Sequence, residues 1–302
     1  MNSSHGTLAQ NWRVDLEEVS ALCVRRASGN RQELVAVGDE DFVIHVAVLQ
    51  GDSLRHRRRE SVRDVLPVKV SKGGDGSEWE AVAADGAGRI FALRESTATV
   101  FVFSPSLAEL EHTIRLDVEG SDDAHARRLL DDPNAGPEGM LLLKGGHLLA
   151  VKQRDPIVVI EFGPRDEPQK GLSGDAYLPV DGSFELADGP RTTLHALASW
   201  ELDAGAEATV ESANDLALDD RARLHAVSSK SRCIYELDPA DARSGRLSIA
   251  HLWQLPGELQ AGNDRRAEGL TFDDQGRPLV AIDVKDRKEN TFMLESLDRD
   301  NG

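Results

Sequence analysis

Only two cysteines, Cys23 and Cys233, occur in 302 residues. Each sits inside an apolar, strand-like run, so both read as buried, reduced thiols and no disulfide framework is expected. Aromatic residues make up 5% of the chain, too few to line a carbohydrate groove with stacking rings. No apolar run approaches the roughly 18–20 residues that span a bilayer. Cations are scarce relative to anions: the formal net charge is −18, which argues against nucleic acid or an anionic membrane as a partner. Sustained helical periodicity is missing apart from a short amphipathic piece at Asp122–Asp132. Residues 1–10 are polar, without a basic end leading into an apolar run, and read as disordered, and residues 295–302 read as a polar tail; with the reduced thiols the N-terminus sets a cytoplasmic expectation.

What is present is a repeat covering one domain, residues 1–302. Glu78–Leu93, Pro137–Val151, Ala213–Val227 and Ala267–Ile282 share one pattern, with a looser copy from Glu17 to Val37. Each copy holds an acidic or amide residue, a short apolar strand, a turn rich in Asp and Gly, and a second apolar strand, which is a β-hairpin signal. Third strands are expected at Val43–Leu49, Thr99–Phe103, Ile157–Phe162, Cys233–Leu237 and Thr291–Leu294. Fourth strands are expected at His112–Leu116, Thr193–Leu202 and Ser248–Leu255. Four-stranded units at this spacing make an all-β fold, a β-propeller of about five blades. A sixth, degenerate blade would have to lie within Gly163–Leu202, where the acidic signature is missing. Trp12–Leu16 is the expected strand that completes the last blade and closes the ring.

In a propeller the start of every inner strand and the end of every second strand meet at one mouth of the channel. The first set is Glu18, Glu80, Glu138, Asn214 with Asp215, and Glu268. The second contains Asp39, Glu40, Arg94, Glu95, Lys152, Gln153, Arg154, Ser229, Lys230, Asp283, Lys285 and Asp286. Glu80 and Arg94, like Glu138 and Lys152, are 14 residues apart and are expected to face each other across the hairpin. Three arrangements suit such a mouth. Converging carboxylate and amide oxygens from Glu18, Glu80, Glu138, Asn214 and Glu268 suit a divalent cation, above all Ca²⁺. The cations suit a small anionic molecule. Cross-strand ion pairs would simply neutralise the channel.

Two functions follow. In one, the propeller is a metal-assisted hydrolase of an ester, lactone or phosphoester: Asp283 moves the proton, and Lys152, Arg154 and Lys230 neutralise an anionic substrate. Val118–Gly136, with His125, Arg127 and Arg128, would then lie over the mouth as a lid. In the other it is a non-catalytic propeller that binds a ligand or a protein partner, with a structural metal or an ion-pair ring. The scattered histidines (His45, His112, His195, His225, His251) lack zinc spacing and read as strand residues. Trp79 reads as packing between blades, Arg55–Arg59 as a solvated edge, and Gly171–Pro190 as a loop on the opposite face.

Pro137-Glu-Gly-Met140, Ala267-Glu-Gly-Leu270, Trp79-Glu-Ala-Val82 and Ala213-Asn-Asp-Leu-Ala-Leu-Asp219 resemble a broad group of propellers. These are the SdiA-regulated proteins, the esterase-like phytase group and, more remotely, the gluconolactonase (senescence-marker-protein) family. That resemblance implies a divalent cation at the mouth that activates water or polarises a lactone carbonyl. It places Glu80, Glu138, Asn214 and Glu268 at the cation and makes Asp283 the acid/base. The chain departs from the gluconolactonase pattern in carrying the asparagine motif once and repeating Glu elsewhere.

Overall fold

The computed structural model describes residues 3–27, 29, 31–71, 76–119, 124–127, 129, 136–203, 210–260, 265–284 and 289–297. Its strands group into antiparallel units of four. The first unit is β3 (Val19–Ala27), β4 (Arg31–Gly38), β5 (Val43–Gln50) and β6 (Ser53–Ser61). The second is β7 (Trp79–Ala84), β8 (Ile90–Arg94), β9 (Thr99–Phe103) and β10 (Leu110–Asp117). The third is β11 (Pro137–Leu142), β12 (Leu148–Lys152), β13 (Val158–Gly163) and β14 (Arg191–Asp203). The fourth is β15 (Asp215–Leu218), β16 (Leu224–Ser228), β17 (Cys233–Asp238) and β18 (Arg246–Gln254). In the last, β19 (Arg266–Phe272), β20 (Pro278–Asp283) and β21 (Thr291–Leu294) are joined by β2 (Leu8–Trp12) from the start of the chain. This is a β-propeller whose ring is closed by an N-terminal strand.

The closing strand is Leu8–Trp12, not Trp12–Leu16, and it pairs antiparallel with β21. Asn290 explains the difference. Its amide accepts from Val14 N at 2.8 Å and donates to the Val14 and Leu16 carbonyls at 2.9 and 3.2 Å. Val14–Leu16 is thus held by a side chain instead of a ladder, while Val14 itself is fully buried. Residues 3–10, expected to be disordered, instead supply β2 and β1 (Ser3–His5), which pairs parallel with β18.

Inner strands pack in cyclic order, β3 on β7, β7 on β11, β11 on β15, β15 on β19 and β19 back on β3. Residues 164–190, where a further blade would have to fit, carry no strand. That segment crosses to the second unit instead. Phe184 packs on Phe91 at 5.2 Å, and its N–H and C=O engage Asp85 and Arg89. The contact lies at the β7–β8 turn, on the face opposite the mouth.

Apolar alternation fills the spaces between units, with Trp79 edge-on to Phe42 and Phe103 at 5.7 and 6.1 Å. Cys23 and Cys233 are free and buried, and burial pushes both thiols up to about 12. The turns between first and second strands share one lock. Asp85, Asp219 and Asp273 each accept from the backbone N–H and the guanidinium of the arginine four residues on, Arg89, Arg223 and Arg277.

Inner strands approach so closely that Gly139 has no room for a side chain: a β carbon there would stand 2.7 Å from the Asp215 Cα and the Leu216 N. Gly139→Ala is therefore expected to destabilise by roughly 1–3 kcal/mol, the usual cost of overpacking. Gly257→Ala, where no atom lies within 4 Å, should be close to neutral. Equal urea midpoints for the two variants would refute this packing argument.

Candidate functional site

Four of the five inner strands begin with a β-bulge, and the bulge decides what reaches the channel. Pairing of β7 with β8 skips from Trp79↔Arg94 to Ala81↔Leu93, leaving Glu80 as the extra residue. The same skip leaves Glu138 extra between Pro137↔Lys152 and Gly139↔Val151, and Glu268 extra between Ala267↔Ile282 and Gly269↔Ala281. In the first unit the extra residue is Ser20, between Val19↔Gly38 and Ala21↔Val37. Asn214 takes this place in the fourth: its N–H bonds the Val227 carbonyl at 2.8 Å, and Asp215 also lies opposite Val227. An extra residue re-aims a side chain out of the regular alternation. The inner ring is therefore Ser20, Glu80, Glu138, Asn214 and Glu268.

By the same register, the residues one beyond the partner of each bulge's outer flank are Asp39, Glu95, Gln153, Ser229 and Asp283, the last being the end residue of β20. Sequence spacing had put Asp39, Glu95 and Gln153 at the mouth without distinguishing them from their neighbours; the bulge register singles them out. These positions stitch neighbouring units together. The Asp39 carbonyl accepts from Glu78 N at 2.8 Å, the Glu95 carboxylate from Gly136 N at 2.8 Å, and the Gln153 carbonyl from Ala213 N at 2.9 Å.

The bulge also corrects the expected facing pairs. Trp79, not Glu80, lies opposite Arg94, and Pro137, not Glu138, lies opposite Lys152. Arg94 instead pairs with Glu78, to which Ser96 also donates at 2.5 Å. The buried Lys152 ammonium binds the Arg154 carbonyl. Lys230 is exposed, Arg154 is half-buried, and Lys285 and Asp286 lie outside the described residues. Glu18 is not the counterpart of Glu80; it shares with Glu78 the place two residues before the bulge, each with φ of 50°.

The carboxyl groups brought together are thus thinly neutralised. Burial pushes Glu138 up to about 8, helped by the Glu95 charge and opposed by hydrogen bonds from Gln153 and Asn214 and by the Arg154 charge. Glu80 is raised well above the carboxylate range by burial and then by Glu138, Glu268, Glu95 and Asp39. Glu268 is raised likewise by burial, Asp283 and Glu138. Asp39 is raised to about 7 by burial, Glu18, Asp283 and Glu40.

Asn214 is fixed from behind. Its Oδ1 accepts from the Ser212 hydroxyl at 2.9 Å and from the N–H and hydroxyl of Ser229 at 3.0 Å, which turns its Nδ2 toward Glu138 at 3.4 Å. An oxygen holding three donors has little capacity left for a cation. Asp215 turns its carboxylate to the N–H groups of Leu216 and Leu270, at 2.8 and 2.9 Å, fastening β15 to β19.

Among the described residues, the carboxylates whose oxygens all lie within 4.8 Å of one another are Glu18, Asp39 and Glu40. Glu80, Glu138 and Glu268 do not form so tight a group. The Asp39 Oδ1 is buried without a hydrogen-bond partner, as an oxygen suited to a hard cation would be. Most of the Val118–Gly136 connection lies outside the described residues. Its helical turn Ala124–Arg127 packs on β13 and β14.

No protein-family model matches the chain, and no curated protein matches it in sequence. Among solved structures it is similar to Myxococcus xanthus glutaminyl cyclase, with a TM-score of 0.54 and 12% identity over 97% of this chain and 98% of that one. A streptogramin B lyase gives 0.47 and 10% over 95% and 96% of the two chains. The β-propeller domain of Myceliophteria thermophila Cps50 (Swd1) gives 0.42 and 10% over 96% and 87%. The first likeness is one of fold; the other two are too distant to carry an argument.

The raised carboxyls make stability fall with rising pH. Glu138 titrates near 4.5 when unfolded and near 8 when folded. The folded state therefore holds the extra proton, and stability declines progressively across that window as the proton is lost. The melting temperature of the metal-free protein should drop between pH 5 and 8. Glu138→Gln should flatten the drop, and an unchanged slope in that variant would contradict the assignment.

Proposed function

We propose that the mouth is a hydrolytic site in which a divalent cation, Ca²⁺ by its preference for oxygen, and a protonated glutamate act together on an ester, lactone or phosphoester. The observation that carries this reading is the convergence of Glu80, Glu138, Glu268, Asp39, Glu95 and Asp283 at one mouth, while Arg94 and Lys152 are engaged elsewhere. Glu18, Asp39 and Glu40 would hold the cation. When bound, it would lower the pKa of a coordinated water and polarise the substrate carbonyl or phosphoryl oxygen.

Glu138 holds its proton at neutral pH and is the group placed to deliver it to a leaving oxygen. Asn214 and Gln153 donate to its carboxyl and stabilise the anion left behind. Asp283 lies beside Asp39 and Glu268 and can move a proton to or from water. Arg154, whose charge reaches Glu138, is the cation best placed for an anionic substrate group; Lys230 would meet it further out. The resemblance to the phytase-like and gluconolactonase propellers is consistent with these substrate classes.

A second reading rests on the separation of Glu80, Glu138 and Glu268, which leaves them as proton carriers instead of ligands. It is acid–base chemistry of the carboxyls without a metal, for which the name of the glutaminyl cyclase neighbour suggests a glutaminyl peptide as trial substrate.

Ca²⁺ should raise the melting temperature at pH 7, and Asp39→Asn with Glu18→Gln should abolish that rise. Glu138→Gln should keep the rise and lower turnover of the responsive substrate by at least about 100-fold, as loss of a general acid does. Turnover of an ester, lactone, phosphoester and glutaminyl-peptide panel with and without EDTA separates the readings. Loss of activity with EDTA supports the first, and EDTA-resistant activity that still needs Glu138 supports the second. A protein with neither Ca²⁺ response nor turnover would refute both and leave a binding propeller.

A further inference from the structure

The outer strand of the first unit runs against the charge of the whole protein. In a chain of net charge −18, residues 55–59 read Arg-His-Arg-Arg-Arg. They form most of β6, the free edge of its sheet. Arg55, His56, Arg57 and Arg59 are exposed and Arg58 is half-buried. Their internal neutralisation is weak. Arg58 meets Glu60 at 3.7 Å, with both side chains about 40% exposed. Arg59 meets Asp41 at 3.4 Å and Asp15 at 3.9 Å, both acids largely exposed. Arg57 donates to a neutral acceptor, the Arg13 carbonyl, at 2.8 Å. Arg55 has no ion-pair partner among the described residues. Beneath the strand, the His45 imidazole is pushed down to about 4, first by burial and next by the Arg57 charge, with Asp15 opposing, so the strip's field reaches the interior.

Edge strands commonly carry charge to prevent edge-to-edge pairing, and β6 has that protection in full. Its register slips between Val46 and Val48, and His56 sits at φ 49°, so the edge is bent and a long added strand will not pair along it. Protection alone needs one or two charges, of either sign. Four arginines in five residues give donors in fixed planar forks, which match carboxylates two oxygens at a time.

We propose that β6 is a docking strip for an acidic, carboxylate-rich segment of a partner protein, gripped by Arg55, Arg57, Arg58 and Arg59 through their side chains and not by strand addition. The chain's net charge of −18 favours a short acidic segment over nucleic acid, because a long polyanion is repelled by that charge over a greater length.

The test is fluorescence anisotropy with a labelled twelve-residue Glu/Ser peptide, a Lys/Ser peptide of equal length and a single-stranded DNA 12-mer, at low and at physiological salt. The Glu/Ser peptide should bind saturably and more weakly at higher salt, and the Lys/Ser peptide should not compete. Arg55→Glu with Arg58→Glu should weaken binding by on the order of tenfold or more, given the worth of exposed ion pairs, with an unchanged melting temperature. Arg55→Gln with Arg58→Gln, which gives up only the exposed Arg58–Glu60 pair, should give an intermediate loss. Absence of Glu/Ser binding, or binding indifferent to both double variants, would overturn the proposal and leave β6 as a protected edge. Tighter binding of the DNA would overturn it in favour of a nucleic-acid surface.

Discussion

The cost of ionising Glu80, Glu138 and Glu268 together, set first by burial and next by their repulsion, is the constraint around which the rest of the channel is arranged. Each stands on its own inner strand, and the strands are drawn together by cores that lie between the units, well away from the acids. Burial removes the water that would screen the charges. Ionised together, such a cluster would push the strands apart, and protonation relieves that only in part as the pH rises. What prevents this is topological: β2 pairs with β21 and closes the last unit, so no unit can swing outward without breaking a sheet. Gly139 and Gly269 then allow neighbouring strands to approach to backbone contact. The fold holds the carboxyls where they would not collect by themselves, which is how functional sites commonly store cost.

The two faces of the ring treat charge differently. On the face of the β7–β8, β15–β16 and β19–β20 turns, Asp85, Asp219 and Asp273 are each saturated by an arginine four residues on and by backbone N–H groups. The hydrogen bonds that favour the charged form hold Asp219 below the usual carboxylate range even though its burial acts in the other direction. At the mouth, Glu80, Glu138 and Glu268 stand on the same strands but are more deeply desolvated and have no arginine four residues on, so the balance is reversed and the carboxyls keep their protons. One chain thus shows that it can neutralise a buried carboxylate with a spacing of four residues, and does not do so at the mouth. Simple tolerance of charge does not account for that difference.

Much of this was legible in the sequence, because the repeat is carried by strand pattern and turn chemistry. Thr99–Phe103 and Thr291–Leu294 are strands with the bounds the pattern implies, and Asp/Gly turns mark the hairpins. Counting residues along a hairpin failed where one residue bulges. The fourteen-residue spacing of Glu80 and Arg94 is real, but the extra residue moves Trp79 opposite the arginine and frees Glu80 for the channel. The same bulge makes Ser20, not Glu18, the inner-ring residue of the first unit. A bulge has a weak signature in one sequence: small residues, Ala81, Gly139 and Gly269, follow each glutamate, and only the close approach of strands explains them. The closing strand was misplaced by a few residues for a different reason. Val14 and Leu16 look like strand residues by their alternation, yet their backbone is satisfied by Asn290, some 276 residues away from Val14.

The sign of the local field links the metal question to the substrate question. A mouth lined by Glu80, Glu138, Glu268, Asp39 and Asp283 repels an anionic substrate whenever those groups are ionised. Protonation removes part of that repulsion, but protonated acids cannot attract an anion; they can only donate to it. A divalent cation held by Glu18, Asp39 and Glu40 would change the sign outright, since a bound ion is the largest charge in its surroundings. It would also draw protons off the nearest carboxyls, Asp39 first, and leave Glu138, farther along the ring beside Asn214 and Gln153, as the group that keeps its proton. With such an ion, ion binding, anion acceptance and the choice of proton donor would be one coupled equilibrium, set by how far each carboxyl lies from the Glu18 side of the ring.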